Sequence, residues 1–308
     1  MDIEYLLFLQ NIRNALNGVL NGFFEFVTNI AVGYYIFLIP LIIYWTVDKK
    51  KGLFTFCTLG IGLFINAFLK VTFCVYRPFV RDPRVKPLES ILPGAGGYSF
   101  PSGHSTCSSS TYFAIAEKFK KYKGLVAFCL TMIALTLFSR NFFGVHTPQD
   151  VIAGCLSGFV ALKIALTVEK YIDKNPDKDK YVVILVTVAC IALLTYVVYK
   201  SYPMDYVDGV LLVDPAKLRI DSFRDPGFFY GAVWSWYLDR KLNIDTSGSN
   251  YQKFMRCIVG ALLFVAYYTI VVSAIGSLIN ISAVYFLLCA SAPILFTIVY
   301  PLTWKKKK

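Results

Sequence analysis

The sequence predicts an all-α membrane protein, a polytopic helical bundle of about nine spans. Charged residues make up 16% of the chain, against roughly 25% in a typical soluble domain. The mean hydropathy is +0.57. The apolar residues fall in long blocks and lack the period-2 alternation that an outer-membrane barrel needs.

Residues 3–26 mix Leu, Phe and Val with Glu4, Arg13, Glu25 and several Asn, which reads as a helix lying at the membrane interface. Spans follow at 28–47, 52–75, 105–118, 124–139, 148–168, 181–199, 227–239, 255–275 and 280–302. The first has no charge over about twenty residues, enough to cross the hydrocarbon core. The blocks at 105–118 and 227–239 are short. They are kept because the basic clusters at 49–51, 118–123, 169–180, 240–241, 253, 256 and 305–308 share one side only if every segment crosses. Charge bias makes that side cytoplasmic, with the N-terminus outside and the C-terminus inside. The expected organisation is an interfacial helix over 1–26, a core over 27–168 and added transmembrane helices over 169–308.

The net charge of +12 follows from this loop bias and from attraction to anionic lipid headgroups. No zinc-finger or basic-helix spacing supports a nucleic-acid partner. The eight cysteines lie in or beside apolar blocks with no CxxC pair, so they read as core filling, with neither disulfide nor metal expected. No cleavable signal peptide stands out, because acidic residues occupy the place of a basic n-region. The four terminal lysines read as a cytoplasmic charge anchor.

The polar residues that carry chemistry lie at the ends of three spans on the other side. Lys70 interrupts an apolar helix near its end, where a lysine costs about 2.5–3.5 kcal/mol unless it snorkels or meets an anion. Arg77 follows seven residues later on the same helical face, and the two together suit a strongly anionic ligand. Pro101-Ser102-Gly103-His104 leads into a helix start, where orphan N–H groups and an absent side chain at Gly103 favour an oxyanion. Thr147 is a good N-cap, with Pro148 first and Asp150 third in the next helix. Asp150 also stands four residues after His146, so its carboxylate can hold one imidazole nitrogen and leave the other bare. Arg140 adds a third cation.

This inventory suits attack by His146 on a phosphate ester. Lys70, Arg77, Arg140 and the amides around Ser102, Gly103 and His104 stabilise the phosphoryl centre. His104, the other of only two histidines, protonates the leaving alkoxide and then activates water against the phosphohistidine. Asp150 fixes the tautomer of His146. No metal and no cofactor is expected, because the cations do the work that ions do in other phosphoryl-transfer enzymes.

These residues resemble the type 2 phosphatidic acid phosphatase (PAP2) family, integral-membrane lipid phosphate phosphatases that share a core with vanadium haloperoxidases. The matching stretches are Lys70-VTFCVY-Arg77-Pro78, Pro101-Ser102-Gly103-His104 and Ser139-Arg140-NFFGV-His146-TPQ-Asp150. The resemblance implies a PAP2/haloperoxidase-like helical core. It also implies phosphate binding by Lys70, Arg77, Ser102, Gly103 and Arg140, an acid role for His104, a nucleophilic role for His146 and a relay role for Asp150. The predicted topology resembles glucose-6-phosphatase.

The expected activity is metal-independent hydrolysis of a membrane lipid phosphate or diphosphate, with the site on the extracytoplasmic or luminal face of a cell membrane. Two alternatives stand beside it: a phosphotransferase that passes the phosphate to an acceptor other than water, and a non-enzymatic transporter or scaffold. Residues 169–308 are compatible with a substrate entrance, a homodimer contact or simple packing.

Overall fold

The computed structural model describes residues 2–304 other than Asp208 and Asn280. The lysines at 305–308, read above as an anchor, lie outside the described residues. The chain folds as α1 (Asp2–Ala15), α2 (Asn21–Ile30), α3 (Gly33–Ile42, continued in π-helical form to Val47), α4 (Lys49–Phe73), the short α5 (Pro78–Arg81), α6 (Gly103–Lys118), α7 (Lys123–Phe142), α8 (Pro148–Lys174) and α9 (Asp179–Tyr199). After a two-stranded hairpin at Tyr206–Val207 and Val210–Leu211 come α10 (Pro215–Leu242), α11 (Asn250–Ala266, with a π-helical continuation to Ile275), α12 (Gly276–Ile279), α13 (Ser282–Ile294) and α14 (Tyr300–Leu302).

Among the described residues, six helices are long and apolar enough to cross a membrane, and the count is seven if α2 and α3, bent by 55° at their junction, form one span. This overturns the expected nine. The two segments that fail are those at 105–118 and 227–239. The first lies in α6, which has only 16 residues and a run of Ser and Thr, all buried from Ser105 to Tyr112. The second lies in α10, whose 28 residues include Lys217, Arg219, Asp221, Arg224 and Asp225. The sidedness that rested on nine crossings falls with that count, and so does the topological likeness to glucose-6-phosphatase.

α4 is the axis of the fold and packs against α6, α8 and α10. Its start is fixed by Asp48, whose carboxylate accepts from the N–H groups of Lys50 and Lys51 at 2.9 and 3.1 Å. Part of the hydroxyl set of α6 is satisfied by neighbouring helices and by its own carbonyls, while those of Ser110 and Thr111 are buried with no partner among the described residues. Ser108 donates to Thr136 of α7 at 3.2 Å, Ser109 to the carbonyls of Ser105 and Gly154, and Thr106 accepts from Asn66 of α4 at 3.0 Å.

Close approach of the helices rests on glycines spaced four apart, the small-residue pattern of membrane helix pairs. A Cβ on Gly158 of α8 would lie 2.0 Å from Ser109 Oγ and 2.6 Å from the backbone nitrogen of Ser110, and one on Gly154 would lie 2.6 Å from the Ser102 carbonyl. On α10, a Cβ at Gly227 or Gly231 would meet the α13 carbonyls of Phe286 or Ala290 at 2.5 and 2.1 Å. Gly158→Val is therefore expected to cost about 1–3 kcal/mol through overpacking. Gly124→Ala, with nothing near its Cβ, should change stability by no more than about 0.5 kcal/mol. Thermal midpoints of the two variants in detergent check this.

The bundle has two chemically distinct ends. At one, Lys49 pairs with Asp239 at 3.3 Å, Lys118 with Glu169, and Lys241 and Arg240 with Asp179 at 2.9 and 3.4 Å. These contacts gather the basic clusters of α4, α6, α8, α9 and α10. The C-terminal ends of α4 and α7 and the N-terminal ends of α6 and α8 meet at the opposite end. There α1 lies against the 81–86 segment: Glu4 pairs with Arg84 at 3.0 Å, and buried Arg13 donates to the carbonyls of Phe142 and Lys86.

Candidate active site

α4 ends at Cys74, which takes the left-handed conformation (φ 50°) and turns the chain out of the helix just after Lys70. Lys70 Nζ donates to the carbonyls of Tyr98 at 3.0 Å and Pro101 at 3.1 Å, which ties α4 to the strand of chain before α6. Arg77 is buried at the same place and uses its whole fork. Its Nε and Nη2 donate to the carbonyls of Gly97 and Gly96 at 3.3 and 3.1 Å, and its Nη1 donates to Val145 O at 3.0 Å and contacts His146 Nε2 at 2.7 Å.

That last contact determines the proton positions on His146. A guanidinium has no acceptor, so Nε2 must offer a lone pair and the ring proton must sit on Nδ1. Nδ1 faces Ser99 Oγ at 3.3 Å, and the Ser99 hydroxyl donates a hydrogen bond to Asp150 Oδ2 at 2.6 Å. Asp150 Oδ2 also accepts the N–H of Thr147 at 2.8 Å, completing the capping box that starts α8. The direct distance from His146 Nδ1 to Asp150 Oδ2 is 3.6 Å, too long for a hydrogen bond. The link from the carboxylate to the imidazole therefore runs through Ser99, a fully buried residue that the sequence reading did not single out.

His146 sits in the turn between α7 and α8. Burial first, then the charges of Arg77, Arg140 and Lys70, hold its imidazole well below the usual value, so the ring is neutral. Its backbone carbonyl accepts from Asn141 at 2.9 Å, and Gly144 (φ +70°) makes the reversal that returns the chain to α8.

Ser102 is the N-cap of α6 and accepts from Ser105 N at 3.3 Å. Its own N–H already donates to Asp150 O at 3.0 Å, so the free N–H groups at this helix start are those of Gly103 and His104. His104 lines the cavity beside His146, and its ring makes no hydrogen bond to another described residue. Arg140 is almost fully buried on α7, donates from Nη1 to Thr28 Oγ1 at 2.9 Å and acts electrostatically on both histidines. Its Nε has no acceptor among the described residues.

Lys70, Arg77, Gly103, His104 and His146 open on one cavity of about 470 Å³. Ser102, Arg140 and Asp150 stand behind its wall. All eight residues singled out in the sequence are thus gathered at one end of the bundle. Among the described residues, no three His, Cys, Asp or Glu side chains cluster in a way that suits a metal ion.

The profile described as the PAP2 superfamily matches residues 51–174. The match covers less than half of the chain, so it shows a distant similarity of this segment to the PAP2 superfamily. Among curated proteins, the chain is 28% identical over 153 residues to an undecaprenyl-diphosphatase of Sulfolobus acidocaldarius, covering 48% of this chain and 72% of that one. It is 26% identical over 175 residues to a lipid A 4'-phosphatase of Porphyromonas gingivalis, covering 51% and 72%. A shorter match, 40% over 60 residues, reaches a lipid A 1-phosphatase of Rhizobium etli and covers 20% and 25%. No solved structure matches. The PAP2-matched segment includes every residue of the constellation above and none of α9 to α14.

Proposed function

We propose that this PAP2-type protein hydrolyses a membrane lipid phosphate or diphosphate through a phosphohistidine on His146. The observation that carries this reading is the hydrogen-bonded series Asp150, Ser99, His146, with the Nε2 lone pair held toward a cavity lined by cations. Arg77 Nη1 occupies the position that a phosphorus atom must approach, so substrate entry exchanges an N–H···N contact for N–H···O contacts to the phosphoryl oxygens. The first amides of α6 are further donors for those oxygens, and Arg140 adds positive charge from behind the cavity wall.

Burial and the surrounding cations favour neutral His104 in the empty site, so its acid form is generated when the substrate binds as the phosphate monoanion and passes its proton to the imidazole. In the first step the Nε2 lone pair of His146 then forms an N–P bond as the bond from phosphorus to the ester oxygen breaks, and the His104 imidazolium gives that proton to the departing oxygen. The positive charge that develops on His146 is stabilised through Ser99 by the Asp150 carboxylate. In the second step water loses a proton to His104 as its oxygen bonds to phosphorus. The N–P bond breaks, and inorganic phosphate leaves. Each proton and electron pair is returned.

The basic clusters gathered at the far end of the bundle favour a site on the non-cytoplasmic face. Ser99→Ala removes the relay while leaving the nucleophile in place. A loss of about 10–100-fold in kcat with little change in KM is expected, as for other residues that orient a reacting histidine. The reading as a whole is tested by phosphate release from lipid monophosphates and diphosphates in detergent with EDTA. Chelator-resistant release supports it. Release that requires an added divalent ion would overturn it.

A further inference from the structure

α10 lies outside the PAP2-matched segment, yet it forms one wall of the catalytic cavity. Lys217, Asp221, Arg224 and Asp225 all line the space that His104 and His146 open on. Their spacing puts them on one helical face. Arg224 is already engaged, with Asp221 at 3.7 Å and with the hydroxyl of Tyr268 at 3.3 Å. Asp225 makes no hydrogen bond or ion pair with another described residue, although it is enclosed by protein and lies within electrostatic reach of Lys70. Lys70 spends two of its three N–H groups on carbonyls. Beyond Asp225 the cavity becomes apolar, against Phe37, Phe228, Phe264 and Val272.

A carboxylate facing an incoming phosphate repels it, and against bare hydrocarbon the same carboxylate would lose its solvation with nothing in return. It fits a substrate that places hydrogen-bond donors between its phosphate and its apolar part. Resting on the phosphatase reading above, we propose that Asp225 determines specificity for the leaving group, selecting phosphate esters whose alcohol carries an ammonium or hydroxyl donor near the ester oxygen. The order along the cavity is then phosphate at Lys70, Arg77 and His146, donor group at Asp225, and hydrocarbon at Phe228 and Phe264. Asp221, one turn earlier, and Tyr268 hold the Arg224 head group, whose charge still acts on Asp225 without forming an ion pair with it.

The test uses three long-chain phosphonates of equal length in detergent: 2-amino, 2-hydroxy and unsubstituted. Because they are not hydrolysed, their affinities are read without catalysis, and phosphate release from the three corresponding phosphates is measured alongside. The parent protein is expected to bind the two donor-bearing phosphonates about tenfold or more tighter than the plain one, the usual effect of one charge-assisted hydrogen bond. Asp225→Ala should bring those ratios close to one. Asp225→Asn, which keeps the size and an acceptor oxygen, should retain preference for the hydroxyl compound and lose that for the ammonium compound, which identifies the donor. Equal affinities in the parent, or ratios unchanged in Asp225→Ala, overturn the proposal. Preserved binding ratios with no phosphate release would instead overturn the phosphatase reading and leave this subsite standing.

Discussion

His146→Asn should abolish phosphate release, by a factor on the order of 10⁴ or more, as expected when a covalent nucleophile is removed. Asn keeps a polar side chain of similar reach but offers no basic nitrogen at the position of Nε2. The fold should survive, because the ring's contacts are to Ser99 and Arg77, and Arg77 retains three backbone carbonyls as partners. A companion variant separates the two histidines. His104→Gln should be slow with alkyl phosphates, whose alkoxide must be protonated as it leaves. It should recover much of the first step with an aryl phosphate whose phenolate leaves unaided. The His146 variant should gain nothing from the better leaving group. Burst kinetics with the aryl ester check both outcomes.

Arg77→Lys is expected to have the second largest effect, on the order of 10²–10³ in kcat/KM, comparable with losing a donor aimed at the developing charge. A lysine keeps the charge but not the fork, and Arg77 uses that fork to join Gly96 and Gly97 to the Val145 and His146 turn. Carbonyls left without a donor cost about 1–3 kcal/mol each where water does not replace it. Thermal stability should therefore fall together with activity, unlike in His146→Asn, where activity alone is lost. Activity and melting midpoint measured on the same preparation distinguish the two patterns.

Much of the site could be read from the sequence because its residues are paced by helix ends. PSGH leads into a helix start, and Thr147, Pro148 and Asp150 spell out a cap, whereas the shared helical face expected for Lys70 and Arg77 is not found: α4 stops at Phe73, and Arg77 reaches the site from the extended chain after the left-handed Cys74. Ser99 carried no such signal. Its place is fixed by the long-range bond from its N–H to Val75 O at 2.7 Å and by the return of α8 beneath it, and no local spacing encodes either contact. The tie between Ser102 N–H and Asp150 O is of the same kind.

The span count failed for a related reason. Hydropathy read along the chain cannot tell lipid from neighbouring helices as the surroundings of a segment. α6 is buried among α4, α7 and α8, which shield its hydroxyls from lipid, so its moderate polarity does not mark a crossing. α10 was read only over its apolar residues 227–239, and the charged first turns that wall the cavity were counted as loop. The GxxxG-like pairs on α8 and α10 are visible in the sequence, but what they contact depends on which helix approaches.

The most direct test of the central claim is to trap the intermediate. The parent protein and His146→Asn are exposed briefly to a lipid substrate labelled with ³²P in its terminal phosphate, quenched in alkali and analysed for protein-bound label. The mechanism predicts label on the parent that is stable to alkali, labile to acid and located at His146, with none on the variant. Rapid phosphate release by the parent with no label on any histidine, or equal label on the variant, would contradict it.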